Sequence, residues 1–110
     1  MKYFGDDEKN QVCSGILKKQ KLNVFNLAEK LGTEYLEFQV DFGKRHGFNP
    51  DPSLANDGVL KFLLTYKLKQ NITPQTTGIP AVILWWIASY IINYVVEKLM
   101  ERYFNEQTRI

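Results

Sequence analysis

Gly43-Lys44-Arg45-His46-Gly47 is the stretch best supplied for chemistry. Three potential cations stand between two glycines, an arrangement in which backbone amides and basic side chains can converge on an anion. Lys44, Arg45 and His46 are therefore the candidate anion-binding residues. The spacing matches neither GxxxxGK[ST] nor GxGxxG, and the competing reading is a solvated basic turn. His46 is the single histidine and Cys13 the single cysteine. A catalytic His46 would need a nucleophile and an orienting acid, and no spacing brings Cys13, Asp51 or Asp57 to it. Cys13, on an apolar stripe, reads as a buried small hydrophobe. Asn49, Asp51, Asn56 and Asp57 offer oxygens to a hard cation, but out of register with the D-x-[DN]-x-[DN]-G calcium loop. The expectation is a non-enzymatic protein with no catalytic residue, no metal site and no cofactor.

Composition supports a packed domain rather than a charged tail. Of 110 residues 45% are hydrophobic and 24% charged, close to globular averages, so a core can form. One cysteine excludes an intrachain disulfide framework and any multi-cysteine zinc site. Fourteen basic against twelve acidic side chains leave a net charge of +2, too small to imply nucleic acid by itself. The start, acidic from Asp6 to Glu8 and without an apolar run, carries no secretory leader by this reading. The expected location is cytoplasmic or membrane-associated.

The elements that must position these residues read as an α+β fold, with all-α as the alternative. Asp6, Asp7 and Glu8 open a first helix whose apolar positions are Val12, Cys13, Ile16 and Leu17, with Lys18, Lys19 and Lys21 at its negative end. Val24, Leu27, Ala28 and Leu31 give a second helix, or a kinked continuation, closed by Gly32 as a C-cap. Leu36 to Phe42 alternates apolar and polar without exception. On a helical wheel its apolar residues split into two arcs, so the segment predicts a strand. Val59 to Lys69 alternates with Leu63 as its one exception, and a strand is preferred there because outward Lys61, Thr65 and Lys67 complement outward Glu37, Gln39 and Asp41. A two-stranded antiparallel element joined by a long Gly/Pro/Asn/Asp loop follows. No repeat and no family resemblance is apparent; LAEKLG at 27–32 is common in unrelated helices.

Ala28 followed four residues later by Gly32 also fits the turn of a helix-turn-helix unit. A recognition helix there would carry Glu34, Glu37 and Asp41, which phosphates repel. A small nucleic-acid-binding regulator using Lys18, Lys19, Lys21, Lys44 and Arg45 is thus the least favoured function, and nucleic acid the least favoured partner.

The last segment decides the functional reading. No charged residue occurs from Gln70 to Val96, and Ile79 to Val96 approaches the length that spans a bilayer. A single C-terminal transmembrane helix is accordingly one reading. Against it, Ser89, Asn93, Glu97 and Glu101 form a polar stripe opposite Leu84, Ile87, Ala88, Ile91, Ile92, Val95 and Leu99, the pattern of a helix half buried in protein. About 28 residues of helix measure about 42 Å, longer than the roughly 34 Å expected for a domain of this size. The helix should overhang and bury its excess against a second copy or a protein partner. The organisation expected is one domain, with an α+β core over 1–78 and a long helix over 79–110 packed on the core, a partner chain, or both. The function expected is protein–protein interaction or assembly, as a homo-oligomer or with another protein. Its interface would be Leu84, Trp85, Trp86, Ile87, Tyr90, Ile91, Tyr94 and Val95.

Overall fold

A computed structural model describes residues 4–47 and 57–108. The order is α1 (Asp6–Val12), α2 (Lys18–His46), α3 (Asp57–Asn71), α4 (Pro74–Thr77) and α5 (Ala81–Thr108). The described residues contain no strand, which overturns the α+β expectation: the fold is all-α.

Both predicted strands are helical, and for the same reason. An apolar residue at every second position also places one at every fourth, and a four-residue step is nearly one helical turn. Leu60, Leu64 and Leu68 form such a stripe on α3 and are fully buried, while Phe62 and Tyr66, half a turn away, stay exposed. On α2, Leu36 is buried, and Phe38 and Phe42 lie at the surface with their rings 6.3 Å apart. The two arcs of the helical wheel are therefore both real; one enters the core and the other faces out. Burial of each leucine contributes about 2 kcal/mol, which a lone two-stranded ribbon could not match.

Gly32 caps nothing. It lies in the middle of α2, which runs on to His46, and it is buried. Its value is the missing side chain: a Cβ there would stand 2.6 Å from Leu99 Cδ1 of α5. The absent methyl lets two helices approach closely, and the helix-turn-helix reading fails with it. The chain breaks earlier instead, between α1 and α2, where Gly15 and Leu17 adopt φ of 93° and 70°. For Leu17 this left-handed backbone is strained. Lys18, Lys19 and Lys21 consequently start α2 rather than finish the first helix.

Three long helices make the body. Phe25 meets Tyr94 and Gly32 meets Leu99, so α2 and α5 run in parallel. Lys69 meets Trp85, and Leu64 lies by the Gly32–Leu99 contact, so α3 runs antiparallel to both. The turn between α3 and α5 is closed by α4, a single turn with a reciprocal Thr73–Thr76 capping box and Gly78 at φ 73°. The molecule measures 47 × 27 × 18 Å, with α2 and α5 each about 42 Å long at 1.5 Å per residue. A second helix of about the same length, α2, runs beside α5, so over its described side chains α5 is accompanied within the chain.

The N-terminal arm is locked onto this body. Phe4 is buried, edge-on to Phe25 with ring centroids 5.1 Å apart and 6.0 Å from Tyr94. Its backbone N–H donates to Glu29 Oε2 at 3.0 Å, and Lys9 Nζ is 3.0 Å from Glu29 Oε1. Arg102 of α5 pairs with Glu8 and sits above the Phe4 ring, 5.0 Å from its centroid.

Candidate functional site

The residues expected to carry chemistry do not gather. Lys44, Arg45 and His46 occupy the last turn of α2, followed by Gly47 at φ 75°. A helix C-terminus presents carbonyl oxygens and a negative partial charge, so cations there complement the dipole and no cradle of amides forms. Lys18 and Arg45 begin and end the same helix, about 40 Å apart, and cannot share one phosphate contact. The Asn49, Asp51 and Asn56 cation loop lies outside the described residues, and Asp57 begins α3. Among the described residues no three His, Cys, Asp or Glu side chains converge as a metal-binding set.

Cys13 is fully buried at the end of α1. Burial pushes its thiol pKa up, with Lys21 and then Lys18 pulling it partly back. The thiol is therefore a protonated core group and not a nucleophile. A disulfide reagent at mildly alkaline pH should modify native protein more than about tenfold more slowly than guanidine-unfolded protein, each 1.4 kcal/mol of opening cost giving a factor of ten. Equal rates, read by absorbance of the released thiolate, would show that Cys13 is accessible.

Two concavities stand out among the described residues. The larger, an open cleft of about 840 Å³, lies between α1 and the middle of α2 and is lined by Asp6, Lys9, Glu29, Lys30, Thr33 and Glu34 among others. Its central carboxylate, Glu29, is already engaged by Lys9 and the Phe4 amide. The cleft thereby reads as the solvated seam where the arm docks.

The smaller groove, about 350 Å³, runs between the α1–α2 linkage and α5, with Val12, Ser14 and Lys21 facing Trp86 and Tyr90. Here α5 departs from the usual pattern of a surface helix. Val82, Trp86 and Tyr90, at steps of four, are 84%, 77% and 60% exposed, and Ile83 beside them is also exposed. Beyond Tyr90 the same face turns polar with Asn93, Glu97 and Glu101. The opposite face, from Leu84 through Leu99, is committed to α2 and α3.

The eight predicted interface residues thus part company. Leu84, Ile87, Ile91 and Val95 are in the core of the chain itself. Trp85 and Tyr94 are half-buried; Lys69 Nζ lies 5.6 Å above the Trp85 ring, and Tyr94 packs on Phe4 and Phe25. Only Trp86 and Tyr90 of the eight are open to a partner. Val82 and Ile83 join them unforeseen, although the four-residue step back from Trp86 points to Val82. No family model matches the chain, and no curated protein or solved structure matches it either.

Proposed function

We propose that this chain is a non-enzymatic docking protein, a three-helix scaffold that holds the outward face of the first half of α5 for burial against another macromolecular surface. The observation that carries this reading is the Val82–Trp86–Tyr90 stripe, open to water on a helix whose other face is already used. An aromatic stripe of this kind, rimmed by polar residues, is what interaction sites expose and what ordinary helix surfaces avoid. Trp86 and Tyr90 have the side-chain types that dominate binding energy at such sites.

Helix α5 is long and apolar enough, over Ala81–Arg102, to cross a bilayer, and 44% of that window is buried within the fold. Spanning would strip it from α2 and α3 and uncover Leu36, Leu60, Leu64 and Leu68. Association through the exposed stripe leaves the core intact, so we place the protein in the cytoplasm or at a membrane surface with α5 in the bundle.

The test is fractionation of a lysate containing either the natural chain or the double variant Trp86→Ser/Tyr90→Ser. Both substituted residues are exposed, so the variant should melt within a few degrees of the natural chain. The natural chain should sediment with large material, and the variant should remain in the supernatant as a monomer. Identical behaviour of the two, with the natural chain free and monomeric, would overturn the proposal.

A further inference from the structure

The charges of this chain are segregated along its long axis. None of its twelve acidic residues falls within 9–28 or 58–96. Because α2 and α5 are parallel and α3 antiparallel, the starts of α2 and α5 and the finish of α3 share one end of the bundle. That end carries Lys18, Lys19, Lys21, Lys67 and Lys69, with no carboxylate supplied by the segments that build it. It also carries the whole exposed stripe of α5 and, in the α1–α2 linkage, Ile16 at 89% exposure.

The lysines of α2 are not placed for the stability of their own helix, whereas Lys69, in the last turn of α3, complements the dipole of its own. A helix N-terminus bears a positive partial charge, and acids there stabilise while lysines oppose the dipole. The first turn of α2 nevertheless has no acid and opens Lys18-Lys19-Gln20-Lys21. The positive ends of α2 and α5, offset in part by the negative end of α3, and five lysines therefore leave this end positive beside exposed Trp, Tyr, Val and Ile side chains.

We infer that this end docks on an anionic lipid bilayer surface. The inference rests on the docking reading above and supplies its partner. Lysines meet lipid headgroups, Trp86 and Tyr90 sit at the level where aromatic rings with a polar edge are favoured, and Val82, Ile83 and Ile16 enter the acyl boundary. A nucleic-acid backbone would use the lysines equally well, but the aliphatic side chains between them gain nothing from phosphate. The rest of the bundle carries both signs, with Glu34, Glu37, Glu97 and Glu101 standing among Lys30, Lys98 and Arg102, and so offers the surface no comparable attraction.

The experiment mixes purified full chain with phosphatidylcholine vesicles that contain or lack phosphatidylserine, read by cosedimentation and by tryptophan emission in a Trp85→Phe background. Binding and a blue shift of the Trp86 emission should occur with phosphatidylserine and not without it, and raised salt should reverse both. Lys18→Gln with Lys19→Gln should weaken binding about 25-fold, about fivefold for each lysine. Trp86→Ser with Tyr90→Ser should abolish it while the chain stays folded.

Lack of binding at low salt, or equal binding to both vesicle types, would overturn the inference. So would retention through high-salt and carbonate washes, which would mean that α5 has inserted. Tight binding to a DNA or RNA duplex that survives Trp86→Ser/Tyr90→Ser, with none to vesicles, would transfer the lysines to nucleic acid. Should vesicles fail while lysate sedimentation still depends on Trp86 and Tyr90, the lipid assignment falls and the docking role stands.

Discussion

Replacing Ile91 with glutamate unfolds the chain, whereas replacing Trp86, five residues earlier on the same helix, with serine leaves it folded. Ile91 is fully buried among the apolar Leu84–Leu99 face, and Lys21, which lines the adjoining groove, already donates to the Ser14 carbonyl. An unpaired buried charge together with the lost isoleucine burial costs on the order of 5 kcal/mol, comparable to the whole stability of a domain of this size. Circular dichroism should show helix loss in dilute buffer, and X-ray scattering should show the radius of gyration rising from 14.8 Å toward roughly 33 Å. A helical Ile91→Glu protein that merely dissociates from a partner would instead place Ile91 at an interface and refute the core described above. The pair of variants therefore separates the two faces of α5 in one measurement.

Phe4→Ala should be the costliest single change outside the long helices. Phe4 seats the arm by three contacts: the perpendicular Phe25 ring, the tilted Tyr94 ring and the Arg102 guanidinium above it. Truncating a buried phenylalanine costs about 3 to 5 kcal/mol, which for a chain of this length lowers the melting temperature by about 12 °C or more. Glu8→Gln, which removes only the half-exposed pair with Arg102, should cost less than about 1 kcal/mol. Urea midpoints of the two variants provide the comparison. Equal, small effects would mean that the arm is not part of the core.

The core face of α5 was legible because it repeats at helical spacing for four turns, and Leu84, Ile87, Ile91, Val95 and Leu99 are buried together. What covers that face was not legible. The sequence places the residues on one side of a helix, but only the parallel approach of α2 through Gly32 puts α2 and α3 there. The two strand assignments failed on a real ambiguity, since Leu60, Phe62, Leu64, Tyr66 and Leu68 satisfy a two-residue and a four-residue period at once. The basic stretch from Lys44 to His46 misled for another reason. Flanking glycines suggested a loop, yet Gly43 is helical and only Gly47 takes a left-handed φ. Charge segregation was invisible in the net charge of +2, because it appears only when parallel helices bring separate acid-free segments to one end.

The helices with two apolar faces have a consequence for the denatured chain. Once unfolded, Leu36–Phe42 and Val59–Lys69 regain their alternation, the first with Glu37 and Asp41 on its polar side and the second with Lys61, Lys67 and Lys69. Segments of this kind, rich in leucine and aromatic residues and complementary in charge, can pair between molecules as readily as within one. Phe38, Phe62 and Tyr66 make the same liability available at the surface before unfolding is complete. Conditions that melt α2 and α3 should therefore favour intermolecular β-pairing, because the native bundle holds both latent strands as helix.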